Sequence, residues 1–282
     1  MTRRRALLAI VGLCAVAACA RRKAPADPTD ARRVVSLAPS TTEALYAVGA
    51  GDRVVGRSTY CDYPPEATKL PALGGVEPDV EAVLELQPDL VVDIAGAASQ
   101  RVAEKIAAHG IATWFAPTDS LADIDAMLLG VGARTGHAAR AEEVVKDLDE
   151  HVRAVERAVA AEARPRVLLV VGAAPIVAAG PRSFADELVR RAGAVNVVLE
   201  GGAWQTIAFE RIAELDPDVV LDASEDAARI TADAPGWGTL RAVRQPGHVI
   251  RIRDERVLRA GPRIGDGLTV LARMLHPGVA VP

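Results

Sequence analysis

The chain has 282 residues, with 33 Lys and Arg against 37 Asp and Glu and a net charge of −4. The two signs are interspersed, so the sequence offers no basic face of the kind nucleic acid demands. Aromatic residues make up only 3% of the chain, which gives weight to the position of each one, and the length suits two lobes of ordinary domain size.

The first residues read as an export signal. Arg3, Arg4 and Arg5 form a positive start, Ala6 to Ala18 is an apolar stretch of small residues, and Val16-Ala17-Ala18-Cys19 puts a cysteine where cleavage falls. That stretch is shorter than the roughly 20 apolar residues of a spanning helix. The tetrapeptide resembles a bacterial lipobox, which implies a signal over residues 1–18, cleavage before Cys19 and acylation of its thiol. An ordinary signal cut near Ala18 or Ala20, or an uncleaved anchor, is the alternative; both readings export the protein. Residues 19–31, rich in Arg, Pro and Asp without an apolar period, read as a flexible tether. Cys14 leaves with the signal and Cys19 is committed to lipid, so Cys61 stands alone and no disulfide framework is available.

The strongest internal signal is a repeat. Val80-Glu-Ala-Val-Leu-Glu-Leu-Gln-Pro-Asp-Leu-Val-Val-Asp93 aligns with Phe209-Glu-Arg-Ile-Ala-Glu-Leu-Asp-Pro-Asp-Val-Val-Leu-Asp222, with seven identities in fourteen positions. Each copy reads as a short amphipathic helix stopped by the residue before proline, then a buried apolar strand. Arg33-Val-Val with Glu43 and Gly49 answers Arg166-Val-Leu with Glu187 and Gly193, each a strand, a loop and a helix ending at glycine. Strands alternating with helices imply mostly parallel sheets covered on both faces, hence two similar α/β lobes, residues 32–137 and 165–282.

Between them, Ala138 to Ala163 contains neither Gly nor Pro, and Val144, Val145, Leu148, Val152, Val155 and Val159 recur at helical spacing. The run predicts one rigid backbone helix within residues 138–164, about 39 Å long at 1.5 Å per residue. A surface helix inside one domain is the plainer reading, and the position between the two halves of the repeat speaks against it. Two lobes on a stiff strut suit a ligand cleft at the carboxyl ends of the strands, with small opening motions.

At Arg33-Val-Val-Ser-Leu-Ala-Pro-Ser-Thr-Thr-Glu43, Gly49-Ala-Gly-Asp-Arg-Val-Val-Gly56, Tyr60-Cys-Asp-Tyr-Pro-Pro65 and Leu86-Gln-Pro-Asp-Leu90 the chain resembles the helical-backbone substrate-binding proteins of ABC importers for cobalamin, haem and iron-siderophores. The Tyr60 to Pro65 stretch is most similar to the cobalamin-binding branch. The resemblance implies a monomer that carries no cofactor or metal of its own. Its partners would be an ABC permease dimer with its ATPase subunits, a tetrapyrrole-like ligand, and the membrane reached through the N-terminal lipid on the periplasmic or cell-surface side.

The same resemblance implies roles for particular residues. Glu81 and Glu210, equivalent in the repeat, would dock into arginine pockets of the permease, a task suited to carboxylates in the first turn of a helix; solvated helix-start glutamates are the plain alternative. Tyr60 and Trp204 would clamp a planar macrocycle, one from each lobe, unless they are ordinary core or surface aromatics. Arg259 would bind amide or carboxylate groups on the ligand rim, and Asp254 would accept from amides; a surface salt bridge explains both equally well. Asp62, Ser58 and Ser40 would add hydrogen bonds. Cobalamin binders carry tryptophan where this chain has Gly75 and Ile94, with Trp237 and Phe115 as candidate replacements. Haem is the nearest alternative ligand, since the Tyr60 hydroxyl could serve as an axial ligand, and a ferric siderophore is the other ligand the resemblance leaves open. His109, His137, His151, His248 and His276 are scattered singly, so no metal site is expected. An exported α/β enzyme is the reading from another class, but no Gly-x-Ser-x-Gly, phosphate loop, His-Glu-x-x-His or paired Cys-x-x-Cys motif is present. The expectation is a protein that is not an enzyme and has no catalytic residue.

Overall fold

The computed structural model describes residues 27–224 and 230–282. The expected signal and Cys19 lie outside the described residues. The N-terminal lobe runs β1 (Val34–Ser36), α1 (Pro39–Ala47), β2 (Val54–Arg57), α2 (Val80–Glu85), β3 (Leu90–Ile94), α3 (Ala97–Ala107), β4 (Ala112–Ala116) and α4 (Leu121–Thr135). Its four strands pair all-parallel in the order β2-β1-β3-β4. Then comes α5 (Ala138–Val159).

The C-terminal lobe follows with β5 (Arg166–Ala173), β6 (Ile176–Ala179), α6 (Phe184–Arg191), β7 (Val195–Asn196), β8 (Trp204–Thr206), α7 (Phe209–Leu215), β9 (Val219–Asp222), α8 (Arg241–Arg244), β10 (Val249–Arg251) and α9 (Ile264–Leu275). Its sheet has the order β10-β9-β5-β6-β8, with β7 also on β5. Here β10, β9, β5 and β7 pair in parallel, whereas β6 and β8 are antiparallel additions. The sequence repeat does not extend to these two strands.

The repeat recurs atom for atom in the backbone ties. Arg33 Nη2 donates to Leu86 O at 2.7 Å, and Arg166 Nη2 donates to Leu215 O at the same distance. Asp89 accepts from Arg33 N (3.1 Å), and Asp218 from Arg166 N (2.9 Å). The helices stop where proline requires it: Gln87 and Asp216, each before a proline, take φ of +47° and +38°, because the ring that follows excludes the right-handed helical region. Gly49 and Gly193 close α1 and α6 at φ of +87° and +80°, a conformation glycine adopts without steric cost.

Helix α5 is shorter than the sequence suggests. It has 22 residues and ends at Val159, not Ala163, giving about 33 Å at 1.5 Å per residue. The reason lies just beyond: Pro165 O already accepts from Val195 N (2.9 Å) as the strand ladder begins, so residues 160–164 must turn the chain from helix to sheet. Leu148, Val152, Val155 and Val159 on α5 belong to one buried apolar cluster that reaches Val34 and Leu45 in the first lobe and Leu169 and Leu188 in the second. Prising the lobes apart would expose these side chains at about 1.5–3 kcal/mol each. The shared core holds the two lobes against the strut.

Candidate functional site

A cavity of about 920 Å³ opens between the lobes, inside the range of ligand pockets. It lies at the carboxyl ends of the strands: Ile94 ends β3, Ala223 and Ser224 follow β9, and Arg251 closes β10. The six residues singled out as ligand contacts all line it: Ser40, Tyr60 and Asp62 from the first lobe, and Trp204, Asp254 and Arg259 from the second. Ser58, by contrast, is buried beneath the Tyr60 loop, where its hydroxyl accepts from Tyr60 N at 3.3 Å.

The two rings are the exposed apolar features of the cavity, Tyr60 at 57% and Trp204 at 41%. A chain so poor in aromatics leaves these two in solvent at a cost in unburied area. Trp204 stands on the added strand β8, which pairs with β6 through Ala179, and the edge of its ring system meets Phe184 at 5.8 Å between centroids. Tyr60 rests over Gly75, where a Cβ would lie 3.0 Å from Tyr60 Cε2 and 3.2 Å from its hydroxyl. Glycine at 75 therefore makes room for Tyr60 in its present place. Ile94 lines the cavity. Trp237 does not: it is buried in the second lobe's core, with its ring edge on Phe209 at 5.6 Å. Phe115 is not among the cavity's lining residues either.

Beside the cleft lies an ion network whose anchor, Glu43 with Arg263, the sequence did not reveal. Glu43, on α1 with its side chain 1% exposed, takes a two-point fork from Arg263 (Nε to Oε2 2.9 Å, Nη2 to Oε1 2.6 Å) and a further bond from Arg259 Nη1 (2.8 Å). Arg259 Nη1 also reaches Asp62 (2.7 Å), and its Nη2 reaches Glu255 (2.8 Å). Arg263 adds Glu255 (2.8 Å) and lies 3.8 Å from the Tyr63 ring centre. The network ties α1 and the Tyr60–Asp62 loop of one lobe to the segment 255–263 of the other. The expected rim contact, Arg259, thus has its donors engaged by three carboxylates. Its bond to Asp62 is the leading cause that holds the Asp62 carboxyl below the usual range. Asp254 is similarly committed, accepting from Arg256 N and pairing with the Arg256 guanidinium at 2.6 Å. The sequence had singled out Arg259, with a salt bridge as its alternative reading, and Asp62, but gave no sign that Glu43 and Arg263 join them.

Cys61 is fully buried and its Sγ accepts from the Thr42 hydroxyl at 3.0 Å, away from the cavity lining. Burial pushes its thiol pKa up, so it has the character of a structural cysteine. Among the described residues no three His, Cys, Asp or Glu side chains converge as a metal site.

Glu81 and Glu210 sit in the first turns of α2 and α7, one on each lobe, both exposed and without an ion partner among the described residues. Asp79 caps α2, accepting from Glu81 N (3.0 Å) and Ala82 N (3.1 Å), which fixes the turn that carries Glu81.

Two braced α/β lobes enclosing a ligand-sized cleft define a solute-binding protein. Residues 34–255 match the model of the periplasmic binding protein family, and the chain belongs to that family. It is similar to an ABC transporter substrate-binding lipoprotein of Bacillus subtilis, with 27% identity covering 87% of this chain and 80% of the relative. It is also similar to the vitamin B12-binding protein of Yersinia pseudotuberculosis, with 29% identity covering 83% and 82%. Among solved structures, a periplasmic haem-binding protein of Pseudomonas aeruginosa superposes with a TM-score of 0.78 at 27% identity, covering 89% of this chain and 94% of that one. The chain is a substrate-binding protein of an ABC transporter, and such proteins carry vitamin B12 or haem as cargo, not as a cofactor.

Proposed function

We propose that this chain is an extracytoplasmic lipoprotein that captures a cobalamin or related corrinoid in the cleft and hands it to a membrane permease. The observation that carries the reading is the pair of solvent-exposed rings, Tyr60 and Trp204, one from each lobe, on the wall of a single cavity. Flat apolar faces on opposing lobes suit a flat macrocycle, and a vitamin B12-binding protein is among the chain's relatives. Haem is the second reading, favoured by the accessible Tyr60 hydroxyl, which could reach an iron. The ligand is bound and released unchanged.

Glu81 and Glu210 are the docking groups, presenting one free carboxylate per lobe to arginines of a permease dimer with its ATPase subunits. Cys19, after cleavage of residues 1–18, carries the lipid that keeps the monomer at the membrane. Absorbance titration of purified protein with cyanocobalamin and haemin tests the ligand: a saturating one-to-one spectral change supports the reading, and no change with either overturns it. For docking, Glu81→Ala with Glu210→Ala should leave that titration within about two-fold of wild type while abolishing uptake by cells; unchanged uptake would end the docking assignment.

A further inference from the structure

Every charged side chain lining the cleft but one has an ion-pair partner among the described residues. Asp62 is spent on Arg259, and Glu255 on Arg259 and Arg263. Asp254 is spent on Arg256. Arg251 is spent on Asp222 (3.5 Å) and on Ser224 O (3.3 Å). Arg259 is paired with three carboxylates. Arg253 lines the same cavity, is exposed, and has no hydrogen bond or ion pair among the described residues.

Its backbone is nonetheless fixed. The preceding residue, Ile252, is buried and donates its N–H to Asp222 O at 2.8 Å, continuing the register of β10 on β9. Asp254, which follows, caps the next turn through Arg256 N (3.1 Å). A guanidinium without an ion-pair partner, on a pinned stretch of backbone in a cleft whose other charged side chains all have one, is the group left free to hydrogen-bond an anionic part of a ligand.

We propose that Arg253 is the specificity-determining residue of the cleft and receives an anionic group, a carboxylate or a phosphodiester, on the periphery of the flat ligand held by Tyr60 and Trp204. This deepens the macrocycle reading above and rests on it. A planar guanidinium pairs two donors with two oxygens of either anion. The two sources are separated by the macrocycle that carries the anion: a haem presents carboxylates, a corrinoid with its nucleotide loop a phosphodiester.

The test is an absorbance titration of the full chain and of its Arg253→Gln and Arg253→Lys variants with two probe pairs. One pair is haemin and its dimethyl ester; the other is cyanocobalamin and dicyanocobinamide, which lacks the phosphodiester. For whichever macrocycle binds, Arg253→Gln should weaken the anionic member about 10-fold and the neutral member less than about two-fold. Arg253→Lys should recover part of the loss. Equal weakening of both members, or of neither, would overturn the assignment while leaving the macrocycle reading intact. Absence of wild-type binding to all four probes would overturn the macrocycle reading, and the role of Arg253 with it.

Discussion

The two lobes descend from one pattern, and their differences show where function has been added. The N-terminal sheet is four parallel strands; the C-terminal sheet keeps that core and adds the antiparallel pair β6 and β8. Trp204 lies on that addition, whereas Tyr60 rides a loop after β2 held against Gly75. The equivalent glutamates differ as well. Glu43 reaches the second lobe through a buried fork with Arg263 and Arg259. Glu187 reaches the first lobe by accepting from Leu121 N (2.9 Å) and pairs within its own helix with Arg191 (2.7 Å). Each lobe grips the other through the same position, but only the Glu43 carboxylate is sealed from water, and one of its partners, Arg259, lines the cleft. Duplication supplied a symmetric frame, and the departures from symmetry gather at the cleft.

The largest expected effect breaks that grip. Glu43→Ala removes the buried carboxylate that two guanidinium groups, 16% and 20% exposed, share, while Asp62 and Glu255 stay with them, and should lower the unfolding free energy by about 3 kcal/mol. Glu187→Ala, whose Arg191 is 33% exposed and keeps Glu156 at 2.8 Å, should cost about 1–2 kcal/mol. Urea denaturation of the two variants measures the difference; equal losses would contradict the asymmetry drawn here.

The strand-end carboxylates sharpen the comparison through pH. Asp222 has Arg251 and the Ser224 hydroxyl beside it, whereas burial without a cationic partner pushes Asp93 up to about 6 from an ordinary 3.8. A raised carboxylate pKa favours the fold while the group is protonated, and that contribution is lost as pH rises from 3.8 through 6. Asp93→Asn, which keeps an oxygen for the Ile94 N–H, should therefore stabilise the protein by about 1–2 kcal/mol at pH 8 and have no effect below pH 3.8. Thermal unfolding at the two pH values checks this, and a gain of equal size at both would refute the cause.

The smallest effect concerns the Tyr60 platform. Gly75→Ala places a methyl 3.0 Å from Tyr60 Cε2, so the ring must shift by a few tenths of an ångström. Ligand affinity should fall by about 1 kcal/mol, roughly five-fold, with stability nearly unchanged. Isothermal titration beside a melting curve separates the two quantities.

The frame was legible because its signals are local. The helix–strand unit at 80–93 and its copy at 209–222 contain their own stop, proline, and their own apolar runs. The aromatics of the cleft and the glutamates proposed to dock were singled out only through family resemblance, which transfers positions but not partners. The Glu43 network was illegible because its members come from both ends of the chain, and nothing in the local pattern at Glu43 or Arg263 separates a buried fork from a solvated helix face. The strut was read too long because Ala160 to Ala163 are good helix formers, and only the tertiary pairing of Pro165 with Val195 forces the turn.

In the proposed function the ligand is held between one ring from each lobe. Measuring ligand affinity for Tyr60→Ala, Trp204→Ala and the double variant tests it most directly. The account predicts a loss of about 2 kcal/mol for either ring, roughly 30-fold, and near-complete loss for both with the melting temperature retained. Wild-type affinity in the double variant would show that the cargo sits elsewhere.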